Sequence, residues 1–142
     1  MRINILLIFF LISLSAKSQE SDNKQIDFRI SCGFAGMTSP EVQSIQYFTS
    51  KKNYMFLKRK LFGNNNSEAI LSAISLSELQ SKKHLVLGAD EQNKINEIKE
   101  WNIKYSLCYT CTGHYSGVVR ELLQNTWNES YSIILRALFD SE

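Results

Sequence analysis

The sequence predicts an all-α fold: about five amphipathic helices packed as antiparallel hairpins behind a removable N-terminal signal. Three observations predict it. Apolar residues recur at three- and four-residue spacing through most of the chain after Ser39. The 142 residues hold a single proline, Pro40, so no later helix is broken from within by a missing donor. Clear alternation of apolar and polar residues is read at one short stretch, Ile26, Phe28 and Ile30.

The first 18 residues have the three parts of a secretory signal. Arg2 is the basic start, Ile5 to Ile12 is an unbroken apolar run, and Ser13, Ser15, Ala16 and Ser18 are small. Ala16 and Ser18 take the two cleavage-site positions for a cut before Gln19. The apolar run is too short to span a bilayer, no cysteine follows it for lipid attachment, and no later run reaches transmembrane length. A retained anchor is the rival reading. The expected organisation is a signal peptide at 1–18, an extended segment and loop at 19–38, and a single helical domain at 39–142.

Cleavage changes the charge. The precursor has 16 basic and 14 acidic residues, and the signal removes Arg2 and Lys17 and no acid. The mature chain is therefore neutral, which gives no reason to expect nucleic acid as a partner. The expected address is the periplasm or the cell exterior, with no membrane contact after cleavage. Abundant Lys, Asn and Ile suit an AT-rich, bacterial genome.

After a polar start, Ile26 to Ile30 reads as a short extended segment, and Cys32 to Gly36 as a loop. Ser39-Pro40-Glu41 is a helix start, with Ser at N-cap, Pro at N1 and an acid in the first turn; Val42, Ile45 and Phe48 continue it. Tyr54 to Phe62 is a second helix, with Gly63 as its left-handed C-cap. Asn64 to Ser67 turns the chain into a third, Ser67 to Lys82. There Ala69, Ala73 and Ser77 recur every four residues and let a neighbour approach. Asp90 caps a fourth, with Ile95, Ile98 and Trp101 on its buried face. Tyr105 to Cys111 lacks helical periodicity and reads as extended or loop. A further helix starts near Tyr115 and carries Val118, Val119, Leu122 and Leu123; the last carries Tyr131, Ile134, Leu135 and Leu138.

The stretch Tyr54 to Leu79 resembles one HEAT-like or armadillo-like helical hairpin. Its first helix ends in Leu61-Phe62, an asparagine-rich turn follows, and the second helix mixes apolar residues with small alanines. A charged residue usual on the second helix is missing, where Leu71 or Ser72 stands. The resemblance implies all-α packing and an interaction surface in place of a reaction; a chain this short holds two to three such hairpins.

The cysteines are the one cluster with chemistry. Cys108-Tyr109-Thr110-Cys111 is a C-x-x-C, His114 follows, and Cys32 lies upstream. An oxidising address favours a structural disulfide joining Cys32 to Cys108 or to Cys111, with one thiol left over. A redox dithiol at Cys108 and Cys111 wants a helix N-terminus beside a βαβ unit, which is not visible here. Cys32, Cys108, Cys111 and His114 together make a possible Cys₃His zinc set, provided the thiols stay reduced. No catalytic triad, phosphate loop or calcium loop is present, and no cofactor is expected. The basic run of Lys51-Lys52 and Lys58-Arg59-Lys60 could bind anions or nucleic acid, but in a neutral exported domain it reads as a solvated helix face. The functional expectation is an exported, non-catalytic binding or structural module whose partner is another protein. The alternative is a thiol-redox or zinc protein centred on Cys108 and Cys111.

Overall fold

A computed structural model describes residues 25–33, 35–110 and 112–140. The signal segment and Cys111 lie outside the described residues. The elements run β1 (Ile26–Ile30), α1 (Pro40–Ser50), α2 (Tyr54–Leu61), α3 (Asn66–Ser81), α4 (Ala89–Lys99), β2 (Lys104–Tyr109), β3 (Gly113–Val118), α5 (Val119–Gln124) and α6 (Glu129–Phe139). The fold is α/β, which corrects the all-α expectation: six described helices surround one face of a three-stranded mixed sheet.

β2 is the central strand. β1 pairs with it in parallel, Ile26 opposite Tyr105 through Ile30 opposite Tyr109, and β3 pairs antiparallel, Lys104 opposite Val118 through Tyr109 opposite Gly113. Four helices, α1 to α4, form the crossover that a parallel pair requires. Residues in register share a face. Ile26, Phe28, Tyr105 and Leu107 are buried on the core side, whereas Asp27, Arg29, His114 and Ser116 are exposed on the other. The stretch from Tyr115 to Val118, expected to be helical, is the body of β3; the helix begins at Val119.

α3 is the hub. Its residues from Ala69 to Leu76 are all buried, because α1, α2, α4, α6 and β1 pack around it. From Ala69 to Leu76 the helix carries only apolar residues and small serines, so every side of it can be enclosed. The sequence segment that resembles a HEAT-like hairpin thus folds as α2 and α3, with α3 enclosed in a sheet-containing core.

Two helix ends depart from expectation. Gly63 does not adopt the left-handed conformation, and Phe62 is the cap of α2. The left-handed positions after helices are lysines: Lys52 (φ 55°) after α1 and Lys83 (φ 58°) after α3. Each closes its helix with backbone donors. The N–H of Lys52 reaches the Thr49 carbonyl and that of Asn53 reaches Phe48; the N–H of Lys83 reaches Gln80 and that of His84 reaches Leu79. Gly88, not Asp90, is the N-cap of α4, and Asp90 sits in its first turn. No helix among the described residues is long and apolar enough to cross a membrane.

Candidate functional site

The structure joins Cys32 to Cys108 in a disulfide spanning 76 residues of sequence. The local chain prepares that bond. Ser31 takes a left-handed φ of 50° and turns the chain out of β1. Cys32 and Met37 then exchange two backbone hydrogen bonds across a small loop, and the Ser31 N–H donates to Thr38 Oγ1. Cys108 projects from the open face of the sheet, in register with Arg29 on β1 and His114 on β3. Cys108 is buried there, while Arg29 and His114 are exposed.

In this bonded form neither sulfur carries a thiolate to offer a metal or a substrate. Among the described residues no three His, Cys, Asp or Glu side chains come together as a ligand set. The disulfide takes one cysteine of the C-x-x-C and pairs it across the sheet with Cys32. His84, on the connection after α3, is exposed and distant in sequence from the cysteines.

A second arrangement was not legible in the sequence. On the outward side of the α1–α2 hairpin, aromatic rings form a short stack. Tyr47 meets Phe48 edge-on at 5.2 Å between centroids, and Phe48 stacks on Phe56 at 3.6 Å. The Arg59 guanidinium lies 5.8 Å and the Lys60 ammonium 5.3 Å from the Phe56 ring centre, within cation–π range. Tyr47 is 56% exposed and Met55 71% exposed, far more than large apolar side chains usually are when they belong to a core.

The charges on α2 divide into two groups. Lys58 pairs with Glu91 at 2.9 Å and Lys60 with Glu68 at 2.7 Å, tying α2 to α4 and α3. The hydrogen bond from Lys58 is the main reason that the Glu91 carboxyl is held below the ordinary carboxylate range. Lys51 and Arg59 are exposed and have no carboxylate partner among the described residues. The Lys58-Arg59-Lys60 run is therefore two internal ion pairs flanking one uncommitted cation. The signal that could have found the stack is the placing of Phe48 and Phe56 on either side of the three-residue connection Lys51 to Asn53, which brings both rings near the turn of a helical hairpin.

The chain matches no family model, no curated protein and no solved structure.

Proposed function

We propose that the protein is an exported, non-catalytic binding module that engages another protein through the outward face of the α1–α2 hairpin. The observation that carries the reading is the exposure on one hairpin of Tyr47 and Met55 together with Lys51 and Arg59, which have no carboxylate partner among the described residues. Aromatic, methionine and arginine side chains are the types enriched where proteins meet. Cations with no carboxylate partner among the described residues call for carboxylates on the other side, so the partner presents an acidic surface with apolar side chains among the acids. The export half of the reading rests on the N-terminal signal pattern of residues 1–18, and the Cys32–Cys108 bond is compatible with an oxidising address.

The test places a photo-crosslinking residue at Met55 in the native host, with an exposed control position at Glu121 on α5. One discrete adduct from position 55, absent from position 121 and lost when Lys51 and Arg59 are both changed to Glu, is expected. Equal labelling from both positions, or an adduct indifferent to charge reversal, overturns the protein-partner reading. The recovered protein is expected to begin at Gln19; a mature form that keeps residues 1–18 overturns the exported address.

A further inference from the structure

We infer that a cleft beside the α1–α2 turn, where three helix ends meet, is a binding site for a small carboxylate with an apolar body. The cleft has a volume of about 260 Å³ and lies between the C-terminal ends of α1, α3 and α6. Buried Leu79 and half-buried Tyr54 and Phe139 supply its apolar walls. Exposed Lys52, Lys82 and His84 supply its polar side. Among the described residues that line it, none is a carboxylate.

Cations at helix C-termini have an ordinary use, which is to answer the exposed carbonyls of the last turn. At α1 and α3 most of that need is met, since three of the last four carbonyls in each have backbone donors. The carbonyls of Tyr47, Phe48 and Thr49 accept backbone N–H groups from Lys51, Asn53 and Lys52, and those of Glu78, Leu79 and Gln80 accept from Lys82, His84 and Lys83. The hydroxyls of Ser50 and Ser81 donate to the Tyr47 and Glu78 carbonyls as well. The side chain of Lys52 is thus left without a partner in an ion pair or hydrogen bond among the described residues.

The three basic groups are not equivalent. The Lys82 ammonium lies 3.1 Å from the Glu78 carboxylate and 5.1 Å from the centre of the Phe139 ring, so its charge is spent inside the protein. Lys52 remains as one uncommitted cation, and His84 as one ring able to donate a hydrogen bond. That set suits a singly charged head group better than a doubly charged phosphate. A cleft of this volume, smaller than the usual drug-sized pocket, takes a ligand of about ten to fifteen non-hydrogen atoms. Its aromatic walls favour a flat apolar body.

The probe is 2-naphthoate, titrated into the whole mature protein and followed by amide chemical shifts, with the neutral 2-naphthylmethanol as its isostere. Saturable shifts centred on Lys52, His84 and Phe139 are expected, with the alcohol binding about fivefold more weakly or worse. Lys52→Asn removes the charge with a residue that tolerates a left-handed backbone, and is expected to lower naphthoate affinity by a similar factor while leaving the alcohol unchanged. Lys52→Arg keeps the charge and is expected to retain the preference. Equal binding of acid and alcohol, shifts centred elsewhere, or no discrimination between Lys52→Asn and Lys52→Arg overturns the site. The same amide spectra report whether each variant is folded. These outcomes are independent of Met55 and Arg59, so this site and the protein-binding face stand or fall separately.

Discussion

Reducing the Cys32–Cys108 bond should cost about 4 kcal/mol of stability. The bond closes a loop with a sequence separation of 76 residues, longer than half the described chain. In the chain-entropy model a closed loop of that length removes about 4 kcal/mol worth of freedom from the denatured ensemble. The native side adds little to the difference, because the reduced protein keeps both sulfurs and therefore opens no cavity at Cys108. Typical small domains have a total stability of about 5–15 kcal/mol, so the reduced protein should still fold, with a much smaller margin. The assay is urea unfolding of the oxidised and reduced protein in a Cys111→Ser background, where no third thiol can exchange. With a slope of about 2 kcal/mol per molar urea, the midpoint falls by about 2 M, and the slope itself increases because the unlinked chain exposes more surface. A midpoint that moves by less than about 0.5 M, with an unchanged slope, refutes the entropic reasoning. That result would mean that β1, Cys32 and the loop before α1 stay associated with β2 even in the denatured chain.

Three further outcomes follow from named positions. Lys83→Gly should stabilise by about 0.5 kcal/mol. A side chain at φ 58° costs about 1–2 kcal/mol, and glycine returns about half of that through its freer unfolded state; thermal unfolding that moves downward contradicts it. Ser72→Ala should stabilise by about 1 kcal/mol, because the Ser72 hydroxyl is fully buried in α3 with no hydrogen-bond partner among the described residues, and calorimetry reads the sign directly. Tyr115 donates its hydroxyl to Glu129 at 3.0 Å, and that bond, ahead of burial, raises its pKa above the ordinary phenol. A raised folded pKa contributes stability that is complete below the unfolded value and is lost as pH rises through the folded one. In ultraviolet titration, Glu129→Ala should bring ionisation of Tyr115 to lower pH, with Tyr115→Phe identifying its signal.

The helices were the legible part because their signals are local. Ser39 and Pro40 do open α1, and the apolar spacing on α4 and α6 marks the faces that are buried. The limit appears at α3. Periodicity singles out Ile70, Ala73, Ile74 and Ser77 as one face, but Leu71, Ser72, Ser75 and Leu76 are buried as well. Serines are small enough to be enclosed, so a polar-looking flank concealed a helix surrounded on all sides. Lys52 and Lys83 show a different limit. Glycine is the usual residue for a left-handed helix end, and here lysine takes that conformation at two ends while Gly63 goes without it.

The sheet was hidden for reasons that lie in its pairing. β1 carries visible alternation, but its partner β2 is about 80 residues away in sequence, and a parallel register leaves no turn signature to connect them. In β2 the alternation of Tyr105 and Leu107 is broken at Cys108, which is buried on the open face. β3 reads as unlike a strand because its core side includes Gly113 and Gly117 where β-branched residues would be expected. Gly117 has a steric reason: a Cβ there would come within 3.0 Å of the Tyr105 ring, which occupies the space opposite it. Gly113 has a stricter one, since a Cβ would stand 2.5 Å from the Tyr109 carbonyl oxygen across the hairpin.

The same reasoning explains why the cysteines were readable as a group and the two surfaces were not. Cys32, Cys108, Cys111 and His114 stand out by residue type, and the spacing left two disulfide pairings open. The choice of Cys108 depends on parallel pairing of β1 with β2, which sets the end of β1 beside Cys108 and lets the turn at Ser31 carry Cys32 onto the same face. The cleft needs even more distant information. Lys52, Leu79, His84 and Phe139 come from the ends of three helices, and each has an unremarkable local role as a turn, core or cap residue. What makes Lys52 notable is that backbone donors meet three of the four last carbonyls of α1, while its own ammonium has no ion-pair or hydrogen-bond partner among the described residues. Three carbonyls at the end of α1 have backbone donors, and no local feature of the sequence marks that closure.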